Sequence, residues 1–215
     1  MRKQQWNTVL VGLALVQSAL FVPLARWVHK HPVLSTDVTI SQVFQKRRLT
    51  FLDLVSKAIG VVGSPTTAST SALLISLVLW KIHLRLEALM TAGLSLTSLL
   101  VRRLIQQIVH RPRPSKLLVH VDTQKKTPSF PSGHATASTA IWGWLTTLIM
   151  LLLPGSRLRK GSLAVVPALV ILLVGPSRIY LGEHWATDVL GGYLLGNISL
   201  GVALPLYFRL RNDKK

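Results

Sequence analysis

The sequence has no cysteine, so neither a disulfide framework nor a thiolate metal site is open to it. Acid is scarce as well: seven Asp and Glu residues stand against 25 Lys and Arg, and they are spread thinly along the chain. A carboxylate cluster for a divalent cation is therefore not expected, and His29, His31, His83, His110 and His120 show no metal-ligand spacing. Only 15% of the 215 residues are charged, well below the roughly 25% of a soluble domain. No internal repeat or low-complexity segment is present. No small-residue cleavage site follows the first apolar run; Trp27, His29, Lys30 and His31 stand there instead, which argues for a retained span and against a signal peptide.

What the sequence does have is apolar length. Hydrophobic residues make up 49% of the chain, and the net charge is +18. In a soluble protein that charge would suggest nucleic acid. Here the basic residues are interleaved with long apolar runs, so the expected partners are the bilayer with its anionic head groups and a phosphorylated lipid, and not nucleic acid.

A spanning helix needs about 20 mostly apolar residues. Runs 8–25, 58–80, 135–156, 161–177 and 189–208 meet or approach that length, the second with a glycine- and proline-bearing first half, AIGVVGSPTT. Run 88–101 is shorter and is interrupted by Arg102 and Arg103 before LIQQIV resumes. Together they predict an all-α bundle of six transmembrane helices, one integral-membrane domain over residues 1–215, with residues 29–57 as a loop or surface helix and the other loops short. Arg2 and Lys3 at the start, the short loops 81–85 and 157–160 and the tail RLRNDKK would all face the cytoplasm if the amino terminus does.

Three polar, histidine-bearing segments abut the spans: QQIVHRPRP (106–114), SFPSGH (129–134) and SRIYLGEHWATD (177–188). Counting crossings puts all three on one side of the membrane. Phosphoryl transfer needs positive charge around three oxygens, an in-line nucleophile and a proton for the leaving oxygen. Arg113 and Arg178 carry planar forks suited to phosphate oxygens, although an arginine at a span end also serves as a head-group anchor. Pro131-Ser132-Gly133 reads as a helix start, with serine capping and free N–H groups facing outward; it suits an anion, or an ordinary cap. His184 and Asp188, four apart, would stack on one helix face, the carboxylate holding one ring nitrogen and leaving the other as base or nucleophile.

In order and spacing these segments resemble the signature of the type 2 phosphatidic acid phosphatase superfamily, which also contains the vanadium haloperoxidases: Lys-x6-Arg-Pro, Pro-Ser-Gly-His and Ser-Arg-x5-His-x3-Asp. The second part matches at Pro131, Ser132, Gly133 and His134, and the third in full at Ser177, Arg178, His184 and Asp188. The first matches at Arg113 and Pro114, but Gln106 stands where the family has lysine, with Arg103, Arg102 and Arg111 as nearby cations. The resemblance spans roughly residues 50–208 and implies an active site at one membrane face. It further implies a histidine-nucleophile phosphatase without metal or cofactor. His184, with Asp188 as its carboxylate, would form a phosphohistidine that water hydrolyses, and His134 would protonate the leaving oxygen. Arg113, Arg178, Ser132, Gly133 and the substituted Gln106 would bind phosphate. Glu183 lies outside the pattern and receives no role.

The expected activity is hydrolysis of a lipid phosphomonoester or diphosphate, with undecaprenyl diphosphate first and phosphatidylglycerol phosphate and phosphatidic acid behind it. These motifs bind phosphate and not the tail. A catalytically weak or inactive lipid-binding protein of the same fold is the alternative that Gln106 raises. A haloperoxidase fits less well, since those relatives are mostly soluble and this chain has six apolar runs. The expected location is the plasma membrane, with a cytoplasmic amino terminus, an extracytoplasmic site and no obligate protein partner.

Overall fold

The computed structural model of the chain describes residues 3–212, with side chains over 7–211. Arg2 and the last three residues of the RLRNDKK tail lie outside the described residues. The described chain is all-helical: α1 (Lys3–Lys30), α2 (Ser35–Gln45), α3 (Thr50–Val62), α4 (Pro65–Lys81), α5 (Arg85–Val109), α6 (Gly133–Ala137), a π-helical turn (Ser138–Trp142), α7 (Gly143–Leu152), α8 (Arg157–Tyr180) and α9 (Ala186–Asn212). Five stretches are long and apolar enough to cross a membrane: Asn7–Lys30, Arg85–Val109, Gly133–Leu152, Arg157–Tyr180 and Ala186–Arg211. The pair α3–α4, bent by 42°, meets the same test only when its two helices are taken together, and makes a sixth if it counts as one span.

That bend has a local cause in the sequence. Ser64 caps α4 by accepting the Thr67 N–H at 3.0 Å, and Pro65 occupies the first turn, where its missing N–H costs nothing. The glycine- and proline-bearing AIGVVGSPTT is thus a break between two helices. The expected interruption at Arg102 and Arg103 is not one: α5 runs unbroken through both arginines for 25 residues. Arginine is a good helix former, and hydropathy reports the solvent a residue prefers, not the backbone it adopts. Residues 29–57, expected as a loop or surface helix, form α2 and the start of α3. The loops are also not all short, because residues 110–132 connect α5 to α6 without regular helix.

The outside of the bundle is apolar, as lipid contact requires; on α1 alone Leu13, Leu15, Val16 and Leu20 are more than half exposed. Inside, one cluster gathers Leu79, Leu94, Trp144, Leu148 and Tyr207, apart from His134 and His184. There the Trp144 indole donates to Thr91 Oγ1 at 2.7 Å and meets Tyr207 edge-on at 5.2 Å. A second cluster, with Phe21, Val28, Val109, Phe130 and Leu195, packs beneath the 110–132 loop.

Helix α9 reaches α6 closely because it carries glycine at the crossing. A Cβ on Gly192 would lie 2.7 Å from both the Ser132 carbonyl oxygen and Ala135 Cβ, and one on Gly196 would crowd Thr139. Small residues four apart let helices in a membrane approach at this distance. The crossing seats the Ser132–His134 turn directly on the first turns of α9, where Ser132 N–H donates to the Asp188 carbonyl at 3.0 Å.

Candidate active site

Helix α8 ends four residues before His184, and its ending fixes the peptide that carries it. Gly182 adopts φ +66°, donating its N–H to the Ile179 carbonyl at 3.0 Å, while Glu183 N–H reaches the Arg178 carbonyl at 2.9 Å. This pair of bonds with a left-handed glycine is the Schellman ending of a helix. A Cβ on Gly182 would collide with the His120 carbonyl oxygen, so the turn needs glycine twice over. Three residues later α9 begins, and Asp188 in its first turn accepts the Trp185 N–H at 2.9 Å, the backward bond of a capping box. His184 therefore sits between two helix ends. It does not share a helix face with Asp188, since it precedes α9, but the cap brings the two together all the same.

The imidazole is bracketed on both sides. Nδ1 lies 3.6 Å from Asp188 Oδ2 and 3.5 Å from Ser129 Oγ; Nε2 faces Arg113 Nη1 at 3.2 Å. An arginine N–H can only donate, so this geometry calls for a lone pair on Nε2 and the proton on Nδ1. Burial, and next the Arg113 charge, push the His184 imidazole down to about 4, against the opposing pull of Asp188. The ring is neutral near pH 7.

Asp188 is fully buried and held from several directions. Besides Trp185 N–H it accepts Arg111 Nη1 at 2.7 Å and the Ser129 hydroxyl. Arg111 in turn bonds Asp37 Oδ2 at 2.7 Å, Thr187 Oγ1 at 2.7 Å and the Pro32 carbonyl at 2.9 Å. Asp37, on α2, also accepts the Thr187 N–H and hydroxyl at 2.9 and 2.6 Å. A charged chain Asp37–Arg111–Asp188 thus runs behind His184, each member buried and paired, as buried charges must be. Arg111 is spent in that chain and does not reach position 106.

Arg113, two residues on, serves the opposite edge of the ring. Proline on either side keeps this stretch out of helix. The Arg113 guanidinium donates to the Thr127 and Glu183 carbonyls at 2.8 and 2.7 Å; burial lowers its pKa, with Asp188 and Glu183 opposing. Arg178, at the end of α8, donates Nη2 to the Ser56 carbonyl at 2.5 Å and pairs Nη1 with Glu183 Oε2 at 3.2 Å. Its guanidinium lies across Gly60 of α3, where a Cβ would strike it. Glu183 also binds Lys125 Nζ at 2.6 Å. Burial pushes the Glu183 carboxyl up, but Arg178 and Lys125 outweigh it and hold it down at about 2.

Opposite stands the Ser132 turn. The His134 ring centroid is 6.4 Å from that of His184, at 70° to it, and Arg178 and Lys125 lie within electrostatic reach of His134. The Ser132 hydroxyl is buried with no hydrogen-bond partner. The first N–H groups of the continuous helix Gly133–Leu152 have no intrahelical carbonyl to meet. Two imidazoles, two guanidiniums and an unpartnered hydroxyl are thus gathered in one region, which is the inventory for binding and transferring a phosphoryl group. Gln106 does not contribute to it: Nε2 donates to the Pro131 and Pro128 carbonyls at 3.2 and 3.4 Å, and Oε1 accepts Arg102 Nη1 at 2.7 Å. Among the described residues no cluster of three His, Cys, Asp or Glu is arranged to hold a metal ion.

Sequence reasoning missed Asp37, Ser129, Lys125 and Thr187, and it saw Arg111 only as a spare cation. Acid scarcity was the usable signal, since Asp37, Glu183 and Asp188 are three of only seven acids in the chain.

The model of the PAP2 superfamily matches residues 87–212. Phosphatidylglycerophosphatase B of Bacillus subtilis (strain 168) is 28% identical over 177 residues, 82% of this chain and 85% of that protein. A protein of Escherichia coli (strain K12) named putative undecaprenyl-diphosphatase YbjG is 44% identical over 70 residues, covering 33% of this chain and 30% of its own. The crystal structure of a transmembrane PAP2-type phosphatidylglycerolphosphate phosphatase from Bacillus subtilis superposes with a TM-score of 0.81 at 24% identity, over 90% of this chain and 94% of that one. The chain belongs to the PAP2 superfamily and is a multi-pass membrane phosphatase of lipids.

Proposed function

We propose that this chain hydrolyses a lipid phosphate through a phosphohistidine on His184. The observation that carries the reading is the setting of that imidazole, with Nδ1 toward Asp188 and Nε2 toward Arg113. His134 faces it across 6.4 Å between ring centroids. The phosphoryl oxygens take the donors of Arg113, Arg178, Ser132 and the Gly133 turn. The Nε2–phosphorus bond forms as the phosphorus–oxygen bond to the lipid breaks, and His134 gives its proton to the departing oxygen. Positive charge gained by the His184 ring is stabilised at Nδ1 by Asp188. Water then attacks phosphorus, His134 takes its proton, the nitrogen–phosphorus bond breaks, and inorganic phosphate leaves.

Phosphatidylglycerol phosphate moves ahead of undecaprenyl diphosphate as the proposed substrate. The relative named for the first aligns with most of this chain, whereas the relative named for the second aligns with a third of it. Phosphatidic acid remains third. With a cytoplasmic amino terminus the site opens on the outer face of the plasma membrane. One phosphate-release panel over the three lipids, in chelator, tests the reading. The expected result is turnover that orthovanadate inhibits and that His184→Ala reduces to background; activity surviving in that variant would overturn the mechanism.

A further inference from the structure

Gln106 is uncharged, and its amide is consumed by two carbonyls and an arginine. The arginine it holds is the point of interest. Arg102 sits one turn back on α5, within a membrane-spanning helix, and among the described residues no carboxylate lies within ion-pair distance of it. A charge placed there is costly, and arginines in spans generally face the protein interior and meet a partner. The neighbouring Arg103 is exposed, whereas Arg102 is half-buried.

The direction in which Arg102 is held supplies the partner. Gln106 anchors its amide on the carbonyls of Pro128 and Pro131 and presents Oε1 to Arg102 Nη1 at 2.7 Å. The guanidinium is thereby laid on Gly133: a Cβ added there would stand 3.3 Å from Nη1 and 3.4 Å from Cζ. Gly133 separates Ser132, whose buried hydroxyl has no partner, from His134. An unpaired cation, an unpartnered buried donor and a helix start thus meet at one glycine.

We propose that Arg102 is a direct ligand of the substrate's phosphoryl oxygens, supplying from position 102 the positive charge that position 106 does not carry, with Gln106 as its positioning residue. The inference rests on the phosphohistidine reading for its substrate, but binding of an oxyanion tests it without turnover. Orthovanadate is titrated into the purified full chain and followed by calorimetry. Arg102→Gln is expected to weaken binding about tenfold or more, Arg103→Gln to leave it unchanged, and the exchange Arg102→Gln with Gln106→Lys to restore it to within a few-fold, each with a retained melting transition. Should Arg102→Gln fail to fold, Arg102→Lys is expected to keep the fold and bind orthovanadate more weakly than the parent. Binding in Arg102→Gln equal to that of the parent, no recovery in a folded exchange variant, or a parent chain that does not bind orthovanadate would each overturn the proposal. A parent that binds orthovanadate yet releases no phosphate from any lipid defeats the proposed activity and leaves the assignment of Arg102 standing.

Discussion

At the scale of the residue, the site is governed by which charges are balanced. His184 is neutral because it is buried and faces Arg113, and its pKa lies at about 4. A depressed pKa means the lone pair on Nε2 is available above that value and is lost as pH falls through it. The pH profile of kcat/KM, which reports groups of the free enzyme, is expected to show no acid limb from His184 between pH 7 and 5 and a tenfold fall per unit below about 4. An acid limb near 6.5 would contradict that setting. Arg111 balances two buried carboxylates at once, each at 2.7 Å. Arg111→Met leaves both Asp37 and Asp188 uncompensated, and breaking one side of a buried ion pair costs about 3–5 kcal/mol. Thermal unfolding in detergent should register a loss of that order, with phosphate release falling alongside.

The residues of the proposed chemistry could be picked out because their spacing is local: His134 follows Ser132 by two, and His184 precedes Asp188 by four. Asp37 was not, since it meets Arg111 across 74 positions and Thr187 across 150, and a long-range ion pair leaves no periodic trace. Gln106 was read as a defect in the phosphate set; Arg102, four residues back on the same helix, was visible beside it, but the two proline carbonyls it also meets depend on the path of a loop that no pattern specifies.

At the scale of the element, apolar length located the spans, and glycine with proline marked the stretch where α3 and α4 meet at a bend. Hydropathy misjudged α5, where Arg102 and Arg103 lower the score without touching the helix. The α6–α9 crossing offers a direct test of how elements hold the site. Gly192→Ala would improve helix propensity by up to about 1 kcal/mol. The new Cβ, however, would meet Ser132 carbonyl oxygen and Ala135 Cβ at 2.7 Å, neither of which can swing aside, and overpacking of this kind costs about 1–3 kcal/mol. The steric cost should win. A lower melting temperature and weaker activity are expected, because the displaced backbone belongs to the phosphate turn; unchanged values would mean that α9 does not set the position of that turn.

At the scale of the whole molecule, the three polar segments gather at one end of the bundle, which the parity of six crossings allows. Which side of the membrane that end faces can be read from chemistry the chain lacks. With no native cysteine, a single introduced thiol is the only one present. Leu117, in the loop at the histidine end, is 95% exposed, and Leu158, at the α7–α8 turn, is 84% exposed. In intact cells an impermeant maleimide is expected to label Leu117→Cys and to spare Leu158→Cys until the membrane is permeabilised; the reverse pattern would invert the proposed topology.

The buried chain behind His184 bears on how small a working version of this protein can be. The family match begins at residue 87, yet Asp37, from a helix completed by residue 45, closes the far end of the Arg111 pairing. A fragment trimmed to the matched region would keep every residue of the three sequence motifs and still expose a guanidinium built for two carboxylates to only one. The minimal catalytic unit is therefore larger than its signature, and any transplant of this site into another scaffold has to carry α2 with it.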